Sequence, residues 1–144
     1  MNLDSVWMWL ILAFLSAIFA ALVTIFGKMG LKTVDSTVAT GVRAIIMAVT
    51  MVGIILLLGK SSQITQLTSR DMLFIILSGV SGALSWVFYF AALKLADASK
   101  VATIDRSSIL FIIILSYLIL GEELSLKTVM AGVLVFLGAL ILIL

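Results

Sequence analysis

The sequence has no cysteine, no histidine and no proline among its 144 residues. Without cysteine, neither a disulfide nor a thiolate metal site can form. With histidine missing as well, the two commonest zinc ligands are absent, which argues against zinc-dependent catalysis. Charge is scarce too, with Asp, Glu, Lys and Arg making up 11% of the chain. The net charge of +2 is small and its basic residues are scattered, so the pattern is not that of a nucleic-acid binder. No nucleophile–base pair, metal-ligand set or phosphate loop is recognisable, so neither an enzyme nor a bound cofactor is expected.

What is abundant is apolar. Hydrophobic residues form 64% of the chain and the mean hydropathy is +1.38. Soluble domains are about half apolar and about a quarter charged, so the solvent implied here is a bilayer. Five apolar runs cover residues 6–26, 38–58, 72–93, 101–120 and 128–144, each near the ~20 residues that cross a membrane, the last barely so. Lipid offers nothing to an unpaired backbone N–H or C=O, so the runs are predicted to be helices despite their many Ile and Val residues. Five spans use roughly 100 residues, which leaves short loops and a single domain over 1–144. The expected fold is thus an all-α, multi-pass protein of the cell membrane. Met1-Asn2-Leu3-Asp4-Ser5 lacks the basic start of a signal peptide and the run after it is long, so the first helix is expected to be retained. Asp35-Ser36-Thr37, Ser69, Asp97-Ala98-Ser99 and Ser125 stand where helix caps belong. Residues 59–68 read as a polar loop and Gly121-Glu122-Glu123 closes the fourth helix.

Small residues recur along the first, third and fifth helices: Ala13, Ala17 and Ala21; Ser78, Gly82 and Ser85; Ala131, Gly132, Gly138 and Ala139. Such ladders let membrane helices approach closely, either within the chain or, for the last helix, along a dimer seam. The charges are less evenly placed. If the helices alternate in direction, Lys28, Arg43, Lys94, Asp105 and Arg106 all lie toward one membrane face, a turn or two inside the edge. Lys and Arg can snorkel to the headgroups, whereas Asp105 is too short to do so. Lys28 and Lys94 are read first as interface anchors, with the lining of a cavity as the other role open to them. Arg43, Asp105 and Arg106 are read as lining a water-filled vestibule, with Asp105 paired across helices to Arg43 or Lys28. Trp86, Tyr89 and Phe90 share one helix face by their i, i+3, i+4 spacing. Trp86 is 14 residues from the start of its run and seven from the end, too deep for a headgroup belt, so a ligand wall and plain core packing both remain open. Trp7 and Trp9 are belt residues.

Phe26-Gly27-Lys28, the stretch from Asp35 through Val38-Ala39-Thr40 to Arg43, and Ser85-Trp86-Val87-Phe88-Tyr89-Phe90-Ala91-Ala92-Leu93 come in this order. They are followed by Ala98-Ser99-Lys100-Val101-Ala102, Ile104-Asp105-Arg106-Ser107-Ser108 and Leu120-Gly121-Glu122-Glu123-Leu124-Ser125. The combination resembles the EamA-type domain of the drug/metabolite transporter superfamily, in its single-domain, five-helix form, over essentially the whole chain. The resemblance implies a secondary transporter of small metabolites, often an exporter, and a ten-helix fold of two halves related by inversion. This chain supplies one half. It also lacks the proline often found in the fourth helix of longer relatives, and the absence of that residue leaves no ground to assume a helix break there.

In inverted-repeat carriers the substrate site lies between the repeats. With an odd number of spans, one gene supplies both halves only by inserting in both orientations. Six basic residues (Lys28, Lys32, Arg43, Lys94, Lys100, Arg106) lie toward one face and three (Lys60, Arg70, Lys127) toward the other. If Lys28, Arg43, Lys94 and Arg106 belong to a cavity, two remain against three, and the loop charge that fixes orientation almost vanishes. An antiparallel homodimer with dual topology follows as an expectation. In it Arg43 and Arg106 hold an anionic or zwitterionic metabolite through guanidinium forks. Trp86 and Tyr89 pack its organic part, and Asp105 couples transport to protons. The alternative is a non-transporting assembly subunit that pairs with another half-size membrane protein.

Overall fold

The computed structural model describes residues 3–142, and side chains from Trp7 to Leu142. The described residues form helices joined by short connections, and none is a strand. Helix α1 runs Leu3–Gly30, α2 Ser36–Leu57, α3 Ser61–Ile64, α4 Ser69–Leu95, α5 Ala98–Asp105, α6 Ser108–Leu115 and α7 Leu126–Ile141. A π-helical turn, Ser116–Leu120, follows α6. Four stretches are long and apolar enough to cross a membrane: Trp7–Gly30, Ser36–Leu57, Ser69–Leu95 and Ala98–Leu120. Helix α7 is apolar but has 16 residues, about 24 Å at 1.5 Å per residue, against a hydrocarbon core of about 30 Å. Most apolar side chains of these helices are exposed, including Phe14, Ile45, Ile76, Phe111 and Leu134. A fold that leaves so much apolar surface uncovered needs lipid or another chain around it.

The chain divides into two compact units, one of residues Gly27–Lys94 and one formed by the segments up to Phe26 and from Leu95 onward. In the first unit, Asp35 caps α2: its carboxylate accepts the N–H groups of Thr37 (2.8 Å) and Val38 (3.2 Å). These are the orphan donors of a helix start, and the cap is the one expected. The N–H of Val38, then that of Thr37, with the Lys94 ammonium adding to them, hold the Asp35 carboxyl below its ordinary value of 3.8. Helix α2 closes on Gly59 at φ +65°, with bonds from Gly59 N to Leu56 O and from Lys60 N to Ile55 O, both 3.0 Å. That pair of bonds is the Schellman arrangement, which needs a left-handed residue after the cap.

Two expectations in this unit are corrected. The polar loop after α2 contains a helical turn, Ser61–Ile64. The start of α4 is capped by Thr68, not Ser69. Asp71 accepts the N–H and hydroxyl of Thr68 (3.0 and 2.6 Å), while Asp71 N–H donates back to Thr68 Oγ1 (3.2 Å). This reciprocal pair is a capping box with Asp in the acidic position.

In the second unit, the fourth span is interrupted although the chain has no proline. The N–H of Ser107 reaches the carbonyl of Ile104, Ile109 that of Arg106, and Leu110 that of Ser107, at 2.9–3.1 Å. Arg106 and Ser107 have φ/ψ of −64/−15° and −62/−15°. Both the i→i+3 bonds and the dihedrals belong to 3₁₀ geometry. The expected continuous helix over 101–120 is therefore two α-helices joined by a 3₁₀ turn and finished by the π turn. Gly121, at φ +68°, ends it. Asp, Ser and Ser around Arg106 are weak helix formers whose side chains compete for backbone bonds, which makes this the softest point of the span.

Helix α7 begins at Ser125, which accepts the Thr128 N–H at 3.1 Å, as expected. Gly132 and Ala139, seven residues apart on one face, are buried, and a Cβ on Gly132 would lie 2.6 Å from Ile113 Cδ1 and 3.1 Å from Leu110 Cδ2. This part of the small-residue ladder packs within the chain. Ala131 and Gly138 are exposed, as are Ala13, Ala17 and Ala21 on α1. The belt candidates Trp7 and Trp9 are also exposed.

Candidate functional site

Within the unit Gly27–Lys94, α2 and α4 bring together an arginine and an aromatic cluster. Arg43 lies seven residues past the start of α2, about 10 Å into the span. Its guanidinium carbon stands 3.6 Å from the ring centroid of Trp86 and 5.6 Å from that of Phe90. The i, i+3, i+4 spacing on α4 stacks the rings on one another. Trp86 meets Tyr89 at 5.4 Å and 74°, and Phe90 at 5.7 Å and 63°, both edge-to-face, the favoured arrangement for aromatic pairs. Tyr89 and Phe90 are 6.2 Å apart. Phe90 is buried, while Trp86, Tyr89 and Arg43 are half-buried.

Among the described residues of this unit Arg43 makes no hydrogen bond and no ion pair, and a π face holds it. A cation over a Trp face is worth up to about 2 kcal/mol when desolvated, comparable with the ~2.5–3.5 kcal/mol that a charge costs at the centre of a span. The contact with Trp86 is made to the π face and uses none of the guanidinium N–H groups in a hydrogen bond, so they are available to an oxyanion. This is what a bidentate carboxylate or phosphate site requires. Thr40, one turn earlier on α2, is buried and satisfies its hydroxyl on the Ser36 carbonyl at 2.8 Å.

Two of the lysines of this unit, Lys28 and Lys94, are engaged with main chain. Lys28 Nζ donates to the carbonyl of Leu93 (2.6 Å) and Lys94 Nζ to that of Val34 (2.9 Å). The Leu93 carbonyl lies in the last turn of α4, where intrahelical partners run out, and a cation there also suits the helix dipole. These bonds tie the end of α1 and the α1–α2 connection to the end of α4.

In the other unit, Asp105 and Arg106 sit at the 3₁₀ interruption of the fourth span with exposed side chains. Asp105 is seven residues past the start of α5, again about 10 Å into its span. Of the residues singled out in the sequence, Arg43, Trp86 and Tyr89 thus come together in one unit, while Asp105 and Arg106 belong to the other unit. Gly27 also packs against the aromatic residues, 3.1 Å from Phe90 Cζ as measured from a Cβ built on it. Its place against the aromatic cluster has no signal beyond a small residue near a helix end.

The chain matches the EamA-like transporter family over residues 7–144. It is 37% identical over 134 residues to a protein of Sinorhizobium sp. described as an uncharacterized transporter in the cobO 3′ region, covering 93% of this chain and 95% of that one. No solved structure matches it. These likenesses point to a multi-pass membrane transporter and away from an enzyme.

Proposed function

The chain belongs to the EamA-like transporter family, and we propose that it exports small anionic or zwitterionic metabolites across the plasma membrane as an antiparallel homodimer. The observation that carries this reading is Arg43, a guanidinium held 3.6 Å over Trp86 with no carboxylate paired to it among the described residues of its unit. Its N–H fork receives the substrate carboxylate or phosphate, Arg106 supplies a second cation, and Trp86 and Tyr89 pack the organic part. Asp105, an exposed acid inside a span, exchanges a proton in competition with substrate; no other cofactor is required.

Helix α7 serves as a fifth span, its shortness met by local thinning of the bilayer. The chain is then one domain and one half of a ten-helix inverted repeat, completed by a second copy inserted the other way. Rocking of the two copies gives alternating access, and the 3₁₀ turn at Arg106–Ser107 is the point of bending. Cysteines placed at both termini should each label from both sides of the membrane in cells. Labelling of each terminus from one side alone would rule out dual topology. Purified protein reconstituted by itself should move a metabolite anion; activity that appears only with a second half-size protein would favour the assembly-subunit reading instead.

A further inference from the structure

We infer that Gly27 is a positioning residue for Arg43, acting through the Phe90 ring. The functional weight of this inference rests on the reading of Arg43 as the substrate ligand. Gly27 lies in the last turns of α1, and a Cβ built on it would stand 3.1 Å from Phe90 Cζ, 3.3 Å from Cε1 and 3.4 Å from Leu93 Cδ2. Phe90 is 3% exposed and Leu93 0%, so neither has open space to retreat into. Phe90 also meets Trp86 at 5.7 Å and stands 5.6 Å from the Arg43 guanidinium carbon. The ring is shared by the contact at Gly27 and the cation's cradle. A methyl group at position 27 displaces that ring and with it its contacts to Trp86 and Arg43. The bare backbone at Gly27 therefore sets where the guanidinium rests and how much room remains beside it, without touching the substrate.

Gly30 provides the control. It lies three residues further along the same helix, and a Cβ there meets nothing within 4 Å. Ala is a better helix former than Gly, so a purely local backbone role predicts that both Gly→Ala changes are neutral or stabilising. A steric role predicts that Gly27→Ala alone disturbs the cluster.

The test uses the full chain in lipid nanodiscs with Trp7 and Trp9 replaced by Phe, which leaves Trp86 as the one tryptophan. Arg43→Gln uncovers one of the two indole faces and should raise acrylamide quenching of Trp86 by about twofold. Gly27→Ala should move quenching part of the way and Gly27→Val further. Gly30→Ala should overlay the parent, and Phe90→Leu added to Gly27→Ala should restore it by removing ring volume. Parent-like quenching in Gly27→Ala and Gly27→Val, or an equal shift in Gly30→Ala, overturns the inference. Iodide, an anionic quencher, addresses the ligand reading separately: its quenching should exceed acrylamide's in the parent and lose that excess in Arg43→Gln. Equal iodide behaviour in the two sinks the anion site while leaving the placement by Gly27 standing.

Discussion

Replacing Arg43 separates a ligand from a structural cation. Arg43 sits about 10 Å into a helix of 22 residues, and its stabilising contact is with Trp86 at 3.6 Å. That contact is worth up to about 2 kcal/mol, while the charge itself opposes insertion by up to ~2.5–3.5 kcal/mol. Arg43→Gln removes both, so the unliganded protein should melt at or above the parent temperature. The bound state should lose much more. A hydrogen bond to a charged group is worth about 1.5–3 kcal/mol, which predicts binding roughly 10- to 150-fold weaker. At a ligand concentration about 100 times the parent Kd, stabilisation by the ligand is about 2.7 kcal/mol; a ~30-fold loss of affinity reduces it to about 0.9 kcal/mol. Thermal unfolding in detergent across a panel of metabolite anions would find the ligand and then read the variants against it. Arg43→Lys keeps the charge but loses the flat stack and the fork, and should fall between the two. An anion that stabilises Arg43→Gln as well as the parent would refute the reasoning. So would an unliganded Gln variant that melts well below the parent, because Arg43 would then be a structural cation.

Asp105→Asn should abolish pH-driven accumulation in proteoliposomes while leaving substrate exchange; an unchanged pH dependence would remove its proton role. The Asp35 carboxyl is held below its ordinary value of 3.8 by the Val38 and Thr37 N–H groups. Its cap therefore contributes fully above that value and is lost as pH falls through the depressed one. Melts from about pH 6 to about pH 3 should then fall less steeply for Asp35→Asn, which keeps an acceptor but does not titrate. Parallel slopes would show that Asp35 does not carry the acid sensitivity. Gly59 and Gly121 hold φ of +65° and +68°, so Ala at either should cost about 1–2 kcal/mol of stability in unfolding measurements. Asn should cost less at both positions, because its side chain tolerates that region.

The legible parts of the fold were those written locally. Asp35 and Ser125 could be read as caps because a short oxygen-bearing side chain preceded an apolar run, and both accept the N–H groups expected of them. Thr68 and Ser69 are both oxygen-bearing candidates for the α4 cap, and the Thr68…Asp71 spacing, a capping-box signature, is what distinguishes the residue that caps. The break at Arg106–Ser107 had no comparable mark. A switch from i→i+4 to i→i+3 bonding leaves the apolar pattern of residues 101–120 almost unchanged, and proline, the familiar signal, is absent. The site was half legible. Spacing placed Trp86, Tyr89 and Phe90 on one face, but pairing Arg43 with an aromatic rather than an acid depends on which helices lie together, which a single sequence does not encode locally. The lysine–carbonyl bonds at Leu93 and Val34 were hidden for the same reason, since every residue has a carbonyl and composition cannot say which one is free.

The exposed acid in the fourth span connects these features. Asp105 is too short to snorkel from a depth of about 10 Å. Facing lipid there it would cost up to about 2.5 kcal/mol, the figure for the centre of a span, equivalent to at most roughly 70-fold in an association constant. That penalty disappears if the residue faces water enclosed by a second copy, so the same charge that opposes a lone protomer favours its pairing. Arg106 beside it can snorkel and adds less. Arg43 needs no such help, because Trp86 already shields it. The two polar steps therefore have different requirements. One is built to be held within a single chain, and the other is left open at the point where the helix is softest. In an inverted pair, the first would supply a fixed anion ligand and the second a titratable group on a segment able to bend.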